Sequence, residues 1–278
     1  MGKIKASLLV STYEMPEHLK LVAAALARQS ATDFEIFFCD DGSSEPTRAV
    51  IEQFKAQSKI PVTHVWQEHR GFRKCKILNS AVRQAQGEVL IFLDGDCVPH
   101  REYVRDHLAE QEAGYYLAGR RVELGTTLSE KLTPERVTQG FFDWPHPELI
   151  RSALIKGETE FLNRSFRIPS PLLRRAFKMN RVADLKGCNY SVPKSALVAL
   201  NGFDEAYEGY GREDTDIEIR LQHFGLKIKS LKGLALQFHV WHPRREFTPQ
   251  NDQRLEELKK SGRIRCERGL EDLSKLPR

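Results

Sequence analysis

Several classes of protein are excluded by what this sequence lacks. No run of 18 or more apolar residues is present, so no membrane-spanning helix is expected. The five cysteines are scattered, odd in number and without a Cys-x-x-Cys pair, which argues against disulfides and against a cysteine-based zinc site. The apolar stretch near the N-terminus is too short for a signal peptide. These absences predict a cytoplasmic protein with reduced thiols.

Two common nucleotide-binding signatures are also missing. No Gly-x-Gly-x-x-Gly motif follows the first predicted strand, which disfavours an oxidoreductase that binds a dinucleotide. No Gly-Lys-Ser or Gly-Lys-Thr phosphate loop occurs either. The formal net charge of the 278 residues is +5, which suits an anionic substrate or membrane surface without requiring either.

The first part of the chain alternates between apolar runs and helical patterns. Strands are predicted at residues 6–10, 34–39, 62–66 and 89–93, and a helix is predicted after each of the first three. Such alternation implies parallel strand–helix–strand units with right-handed crossovers. The predicted fold class is therefore α/β, with a doubly wound, mostly parallel sheet.

The fourth predicted strand stops at Asp94-Gly95-Asp96. In an open α/β sheet, ligands bind beyond the carboxyl ends of the strands. Two carboxylates this close repel each other unless a cation lies between them. Mg²⁺ or Mn²⁺, bound together with a phosphate, would meet that need. Taken alone, Asp-Gly-Asp is equally consistent with a turn.

Other polar residues follow the neighbouring strands. The same sheet edge would gather Thr12, Tyr13 and Glu14 after the first strand, and Asp40 and Asp41 after the second. Asp40 or Asp41 can accept a hydrogen bond from a nucleobase or a ribose. The alternative is that this second group only turns the chain and caps a helix. The repetition of carboxylates at two strand ends favours a binding site.

A second group of candidate residues lies in the last third of the chain. Glu213 and Asp214 fall at a predicted helix N-terminus, where the helix dipole favours an ionised carboxylate. Such a carboxylate beside an acceptor hydroxyl can act as a general base, although first-turn acids are also common in ordinary helices. His239 and His242, near the end of a predicted strand at 235–240, are candidate metal ligands, although an isolated histidine is more often structural.

The segment 163–181 is cationic. It contains six arginines and lysines and no acid, with apolar side chains between them. It can therefore make a peripheral contact with an anionic membrane surface, at its inner face, or bind a phosphorylated acceptor. The alternative is a solvated loop over the active site, held down by local pairing of its arginines. Nucleic acid is not expected, because no recognised binding motif accompanies the charge.

Three motifs together resemble one enzyme family. They are residues 10–13 with 40–43, residues 93–96, and the loop Gly209-Tyr210-Gly211-Arg212-Glu213-Asp214. In order and spacing, and with a late histidine, they resemble family 2 glycosyltransferases with the GT-A fold. The C-terminal half is similar to the branch shared with galactosyltransferases and chondroitin-polymerase-type enzymes. The resemblance implies a GT-A sheet with an acceptor-side C-terminal subdomain.

The resemblance implies a set of residues that contact a nucleotide-sugar donor. The uridine would be bound by residues after the first two strands, the ribose or sugar by Asp94, and the donor sugar would approach the backbone at Gly187. The full set comprises Thr12, Glu14, one of Asp40 and Asp41, Arg73, Asn79, Asp94 and Gly187.

The resemblance also implies a metal site. Asp96 would bind Mn²⁺ or Mg²⁺ that bridges the diphosphate of the donor. His239 would be the other protein ligand, and His242 is the second choice, between which the sequence does not decide.

Catalytic and acceptor-binding groups are implied in the last motif. Asp214 would be the catalytic base, and Glu213 would orient the acceptor or the sugar. Tyr210 and Gly211 would contact the acceptor, with Tyr210 replacing the tryptophan usual in the galactosyltransferase version of this loop. A single displacement on the donor would invert the anomeric centre.

These inferences divide the chain into four functional segments. Residues 1–118 form the nucleotide-sugar-binding part, and residues 119–185 form a variable, basic part that faces the acceptor or a membrane. Residues 186–248 form the catalytic, acceptor-side part, and residues 249–278 form a helical tail.

The predicted activity is metal-dependent transfer of a hexose or N-acetylhexosamine from a UDP-sugar to a glycan or glycolipid acceptor. The expected context is synthesis of cell-surface polysaccharide or lipopolysaccharide. A sugar nucleotidyltransferase is the first alternative, but it would carry a glycine-rich, basic loop after the first strand, which residues 11–16 are not. A non-catalytic nucleotide-sugar-binding protein is the second, but it would be expected to lack Asp96 or Asp214.

Overall fold

Two sheets organise the computed structural model, which describes residues 3–182, 184–243 and 246–272. In chain order the strands are β1 (Ala6–Thr12), β2 (Phe34–Asp40), β3 (Val62–Trp66), β4 (Val89–Asp94), β5 (Cys97–Pro99), β6 (Tyr115–Ala118), β7 (Val122–Glu123), β8 (Asn189–Pro193), β9 (Lys227–Ser230) and β10 (Gln237–His239).

The helices surround these sheets. They are α1 (Pro16–Leu26), α2 (Glu45–Gln57), α3 (Lys74–Gln84), α4 (Tyr103–Ala109), α5 (Thr126–Ser129), α6 (Pro134–Thr138), α7 (Pro147–Leu154), α8 (Pro171–Ala176), α9 (Lys194–Ala199), α10 (Glu213–His223) and α11 (Pro249–Ser261), with a 3₁₀ turn at Leu162–Ser165. Every helix in the described part of the chain is too short or too polar to cross a bilayer.

The larger sheet has the strand order β3-β2-β1-β4-β8-β6-β9. Its strands pair in parallel except β8, which runs antiparallel to both β4 and β6. Helices cover both faces: Leu8 and Leu93 pack into one hydrophobic cluster, whereas Leu9 and Phe92, one residue away along each strand, pack into the other. Burial on both faces explains why β1 and β4 are continuously apolar. The predicted α/β, mostly parallel sheet is confirmed.

Strand β8 was not predicted from the sequence. Its last residue, Pro193, pairs with Val89 in the sheet, and the helix α9 begins at Lys194. The sequence of β8 shows no apolar run because it contains Asn189 and Ser191, which are fully buried and hydrogen-bonded. Satisfied polar groups of this kind carry no periodic signal in the sequence.

The smaller sheet, in the order β5-β10-β7, brings distant segments together. In it His239 pairs with Cys97, the residue after Asp96, and the Val240 amide donates to the Asp96 carbonyl at 2.9 Å. Backbone pairing therefore fixes His239 beside Asp96, although 142 residues separate them in the chain.

Helix α10 is anchored by a buried ion pair. The guanidinium of Arg220 bonds the Asp216 carboxylate one turn earlier and also donates to the carbonyls of Leu200 and Gly202. Both charged side chains are almost completely buried. These bonds hold the first turn of α10, which begins at Glu213 as predicted, in a fixed position.

Candidate active site

The carboxyl ends of three parallel strands border one large cavity. Thr12 of β1 is in register with Asp40 of β2, and Ser11 is in register with Asp94 of β4. The cavity has a volume of about 1240 Å³, and it also receives residues from the start of α10 and from the smaller sheet. The predicted site residues that line it are Thr12, Glu14, Asp41, Asp94, Asp96, Gly187, Tyr210, Gly211, Glu213, Asp214, His239 and His242.

Asp40 and Asp41 have different surroundings. Asp40 is fully buried and accepts hydrogen bonds from the Ser43 amide at 2.8 Å and from His64 Nε2 at 3.0 Å. Burial opposes its ionisation, but these bonds hold the pKa of Asp40 below its usual value. Asp41 lines the cavity and accepts a hydrogen bond from the Arg73 backbone amide at 2.7 Å. Of the two, Asp41 is therefore the one placed to meet a ligand.

Glu14 combines a structural contact with a position on the cavity wall. Its backbone is left-handed, with φ 52°, and its carboxylate accepts bonds from the Ser44 amide at 2.9 Å and the Ser44 hydroxyl at 2.8 Å. Ser44 precedes α2, so Glu14 supplies an acceptor to the otherwise unpaired start of that helix. Thr12 lies beside it on the wall.

Arg73 and Asn79 are not brought to the cavity wall as the resemblance implied. The guanidinium of Arg73 donates to the Glu68 carbonyl, away from the ligand space. Asn79 is fully buried, and its amide group bonds both the backbone nitrogen and the carbonyl of Phe203 at 2.9 Å. Because both ends of its side chain are engaged, Asn79 holds α3 to the loop before α10 instead of facing a donor.

Lys74 is a site residue that the sequence reasoning missed. Its ammonium group donates to Asp94 at 2.7 Å and lines the cavity. Burial opposes its charge, but Asp94 and then Glu213 raise the pKa of Lys74 above its usual value. The first residue of α3 thus places a permanent cation among the carboxylates of both motifs.

Three potential metal ligands converge at the end of β4. The Nε2 atom of His242 lies 3.1 Å from Asp96 Oδ2, and the Nε2 atom of His239 lies 3.8 Å from Asp96 Oδ1. The two Nε2 atoms are 3.1 Å apart. Burial opposes ionisation of Asp96, but the histidines hold its pKa below the usual range. Both the first and the second choice of histidine are therefore part of one cluster.

The outer nitrogens of the two rings determine what this cluster offers. His239 Nδ1 lies 2.6 Å from Glu123 Oε2, and His242 Nδ1 lies 2.8 Å from the Pro243 carbonyl. A carboxylate and a carbonyl only accept, so each Nδ1 carries a proton, and Nε2 is the ring nitrogen that each histidine turns toward Asp96. A divalent cation that replaces the protons between these groups would bind both Nε2 atoms and the carboxylate. The residues therefore fit the implied metal ion.

Asp214 receives two backbone amides at the start of α10. Its Oδ2 accepts from the Gly187 amide at 3.1 Å, and its Oδ1 accepts from the Thr215 amide at 2.8 Å. A Cβ atom at position 187 would lie 3.2 Å from the Cβ of Asp214, so glycine permits this close approach. Two backbone amides and the N-terminus of α10 thus hold this carboxylate in one orientation on the cavity wall.

Glu213 lies beside Asp214 but has a different environment. Burial is the main cause that raises its pKa, Lys74 opposes that effect, and the negative charge of Asp214 adds to it. Its Oε2 atom is buried without a hydrogen-bond partner among the described residues. A cavity-lining carboxylate with a free acceptor is suited to bind a hydroxyl group of a ligand.

The loop of Tyr210 and Gly211 is held by the C-terminal helix. Tyr210 is partly exposed, between the rings of Phe72 at 5.9 Å and Phe247 at 5.2 Å. Asn251 of α11 is almost fully buried and donates to the Gly211 carbonyl at 2.9 Å. The predicted tail therefore supports the part of the cavity wall that Tyr210 and Gly211 form.

Two of the arginines in the basic segment are held by local pairing. Arg167 bonds Asp106, and Arg174 pairs with Glu110 at 3.0 Å. The apolar side chains of α8 and its end remain outside, with Leu172 80% exposed and Phe177 63% exposed. The segment is thus pinned to the protein by some of its cations and presents apolar surface to the outside.

Two protein families match the chain. The model described as glycosyl transferase family 2 matches residues 7–178, which is more than half of the chain. The model described as the N-terminal domain of galactosyltransferase matches residues 173–243. The first match covers the sheet edge, and the second covers residues 209–214 and both histidines of the cluster.

Curated relatives are similar over most of the chain. An uncharacterized glycosyltransferase, YfnE of Bacillus subtilis, is 29% identical over 86% of this chain and 66% of its own length. The chondroitin synthase of Escherichia coli is 26% identical over 86% of this chain and 35% of its own length. A validoxylamine A glucosyltransferase of Streptomyces hygroscopicus is 27% identical over 80% of this chain and 52% of its own length. This chain therefore spans less than two thirds of each relative.

Solved structures share the fold. The mannosyltransferase PcManGT of Pyrobaculum calidifontis, in complex with GDP-Man and Mn²⁺, superimposes with a TM-score of 0.58 at 15% identity, covering 88% of this chain and 59% of that one. Residues 1–349 of S. aureus TarS, in complex with UDP-GlcNAc, give a TM-score of 0.58 at 16% identity, covering 98% and 69%. The predicted GT-A fold is thereby confirmed.

Proposed function

The chain belongs to glycosyl transferase family 2, and from this premise we propose that it transfers a sugar from a UDP-sugar to a hydroxyl group of a glycan or glycolipid. The sugar is a hexose or an N-acetylhexosamine, and the anomeric centre is inverted. The observation that carries the proposal is the single cavity that joins the carboxylates of the sheet edge to Asp214. A donor on the sheet edge would present its anomeric carbon to an acceptor beside that base.

The sheet edge is suited to the nucleotide. Asp41 and Thr12 line the cavity where β1 and β2 end, which is the usual position of ligands in an open α/β sheet. Asp41 is fixed by the Arg73 amide, so the Arg73 contribution passes through its backbone. A uridine is proposed, with support from the fold neighbour TarS in complex with UDP-GlcNAc, whereas PcManGT was solved with GDP-Man.

The metal would be held by Asp96, His239 and His242. When bound, the divalent cation supplies positive charge that stabilises the departing diphosphate. Two imidazoles and one carboxylate suit Mn²⁺ better than Mg²⁺, which prefers an all-oxygen shell. Glu123 orients the ring of His239 through its Nδ1 proton.

Asp214 is proposed as the general base. The amides of Gly187 and Thr215 orient its carboxylate and stabilise its charge, so it can accept the proton of the attacking hydroxyl group. The hydroxyl oxygen then displaces the nucleoside diphosphate from the opposite face of the sugar in one step. Glu213, with its free acceptor atom, would orient a hydroxyl group of the acceptor or the donor sugar.

Lys74 is proposed to offset the negative charge of the neighbouring carboxylates. Its ammonium group balances the charges of Asp94 and Glu213, which otherwise repel each other and any diphosphate. Asp94 would then accept hydrogen bonds from the ribose or sugar hydroxyls. Neither alternative function, a nucleotidyltransferase or a binding protein, needs a general base at the position of Asp214.

The proposed context is assembly of a cell-surface polysaccharide or lipopolysaccharide. Support comes from the similarity to a chondroitin synthase and to an O-antigen biosynthesis protein of Myxococcus xanthus, 26% identical over 90% of this chain. The four functional segments, 1–118, 119–185, 186–248 and 249–278, are retained as a proposal. Residues 1–2, 183, 244–245 and 273–278 of these segments lie outside the described part.

A peripheral membrane contact through residues 163–181 is part of the proposal. Leu172 and Leu173 are exposed beside the cationic Arg175, a composition that suits an anionic bilayer. Cosedimentation with phosphatidylglycerol vesicles, compared with phosphatidylcholine vesicles, tests it. Binding should fall in Leu172→Ser/Leu173→Ser but not in Val198→Ser, an exposed apolar residue elsewhere. Equal binding to both lipids would contradict the contact.

The activity is tested by nucleotide release from a panel of UDP-sugars, with and without Mn²⁺. We expect release from one donor in the wild type and in Asp33→Ala, a salt-bridged carboxylate outside the cavity, and loss of release in Asp96→Ala. Asp214→Asn should bind UDP normally while its turnover falls by about 10²–10⁴-fold. Absence of binding of any nucleotide would overturn the proposal.

A further inference from the structure

A second cavity adjoins the active site. It has a volume of about 200 Å³, and its polar lining includes Arg120, Arg164, Lys178 and Lys232, while the rest is mainly apolar. Arg120 and Arg164 also line the large cavity, so the two spaces share a wall. None of the described residues that line the smaller space is acidic. We call it the basic cavity.

The positive charge of the basic cavity is only partly balanced. Arg120 bonds Asp184, but the other oxygen of that carboxylate lies 2.7 Å from Lys186. Arg164 donates to the Arg121 carbonyl at 3.0 Å and stacks over a phenylalanine ring, so it has no carboxylate partner among the described residues. Among the described residues, Asp184 is thus the one carboxylate that forms an ion pair with any of these four cations, and its second oxygen is engaged by Lys186.

The two lysines of the basic cavity have no ion pair within the described part of the chain. Burial and then the charges of Arg120 and Arg164 lower the pKa of Lys232, which is the response of a cation placed among cations. Lys178 has a left-handed backbone, φ 55°, a conformation that favours glycine at the end of a helix. Lys178 therefore borders this cavity at a position where glycine would be the less strained residue.

From this geometry we propose that the basic cavity binds an anionic group of the acceptor, a phosphate or a carboxylate, next to the sugar that receives the transferred unit. The inference rests on the proposed function and names the class of its acceptor. The donor diphosphate is not the occupant, because no residue of β1, β2 or β4 lines this space. An acceptor that reaches Asp214 through the large cavity can place a neighbouring charged group between Arg120 and Arg164.

The apolar lining is consistent with a sugar derivative as ligand. Phe177, Met179 and Leu234 border the space beside the cations. A pyranose ring carries an apolar face of C–H groups, which packs on such side chains while its anionic substituent meets the arginines. A neutral sugar would leave the cations unsatisfied, so the cavity selects for charge.

The test uses soluble probes and two single-charge variants. Glucuronate, glucose 6-phosphate and glucose are titrated calorimetrically into protein saturated with UDP and Mn²⁺, which fills the diphosphate position. We expect one of the anionic probes to bind at least about tenfold more tightly than glucose, and Lys232→Gln and Lys178→Gln to remove most of that preference. Lys131→Gln, an exposed lysine in the variable segment that lines neither cavity, is the matched control.

The calorimetric results distinguish the possible occupants of the basic cavity. Preference for glucuronate assigns a carboxylate and preference for glucose 6-phosphate assigns a phosphate. Equal binding of glucose, or anion binding that survives both variants, overturns the proposal. Binding to anionic vesicles without binding of either soluble anion also overturns it, in favour of a membrane contact.

Release of UDP from the donor is measured in parallel. If Lys232→Gln releases UDP at the wild-type rate, Lys232 is not needed for donor binding, and the acceptor site is distinct from the donor site. If the wild type does not bind UDP, the proposed function is overturned. Anion binding that the two lysine variants remove would still support an anion site in the basic cavity.

Discussion

Glu123 gives a direct test of how the metal cluster is held together. Its Oε2 accepts from His239 Nδ1 at 2.6 Å and its Oε1 accepts from Arg121 Nε at 2.6 Å. Burial opposes its ionisation, but the hydrogen bond from His239 and the charge of Arg121 lower the pKa of Glu123 to about 2. The carboxylate is therefore ionised at neutral pH and fixes the proton of His239 on Nδ1, leaving Nε2 free.

Replacement by glutamine keeps the shape and removes the charge. An amide oxygen is a weaker acceptor than a carboxylate, and the amide can rotate to point its NH₂ group at His239, which would then turn or change its tautomer. Loss of such a contact behind a metal ligand typically lowers metal affinity by about 10–100-fold, or about 1.4–2.8 kcal/mol. We expect Glu123→Gln to lower Mn²⁺ affinity in this range.

The measurement is calorimetric titration of Mn²⁺ in the presence of UDP. Glu160→Gln is the matched control, because Glu160 lines the same cavity and its hydrogen bonds to Glu123 run through the backbone, which the substitution keeps. A loss of affinity in Glu123→Gln alone supports the cluster. An equal loss of Mn²⁺ affinity in both variants would mean that the total negative charge of the cavity, not the contact with His239, is responsible. Unchanged Mn²⁺ affinity in both variants would refute the assignment of His239 as a ligand.

Three further predictions concern charges and buried contacts. Lys74→Met removes the cation that opposes the raised pKa of Glu213, so the acidic limb of the pH profile of UDP release should move to higher pH; an unchanged profile would contradict the pairing. Asn79→Ala should lower the free energy of unfolding by about 1–3 kcal/mol in urea titrations without changing UDP affinity. A variant that keeps the free energy of unfolding but loses UDP affinity would instead support a contact between Asn79 and the donor. Arg220→Met should cost about 3–5 kcal/mol at neutral pH, since it leaves Asp216 buried without its partner. That deficit should narrow as the pH falls and Asp216 becomes protonated, and a loss below 1 kcal/mol by the same titration would rule out the anchoring role.

The parts of the fold that follow local rules could be predicted from the sequence. The strand at residues 62–66 was predicted with the bounds of β3, and Glu213 was predicted at the start of α10. The convergence of Asp41, Asp94 and Asp96 followed from the rule that parallel strands end at one edge. In each case the signal lies within a few residues of the position that it determines.

What could not be predicted depends on contacts between distant segments. Lys74 is one of several cations in its loop, and only the structure shows that it meets Asp94. Glu123 lies in a polar stretch, and its contact with His239 arises from the pairing of β7 with β10. Both residues are charged side chains in partly buried positions, where a partner is required, but the sequence does not identify the partner.

The position of Asn79 shows the limit of a resemblance. Its place in the motif order implied a contact with the donor, but its amide bonds the backbone of Phe203 from within the core. A side chain on α3 can point toward the sheet edge or toward α10, and the sequence pattern does not distinguish these directions. Burial and hydrogen bonds distinguish them.

The bond from Asn251 to the loop of Gly211 bears on where the catalytic unit ends. The second family match stops at residue 243, after the last metal ligand, so a fragment cut there would keep every carboxylate and histidine of the site. It would lose the amide group that bonds the Gly209 and Gly211 carbonyls, and with it Phe247, which packs on Tyr210. Such a fragment would keep the proposed metal and nucleotide ligands but lose the contacts that hold the loop of Tyr210 and Gly211. The unit that is needed to support this loop therefore extends past residue 243, where the family match ends.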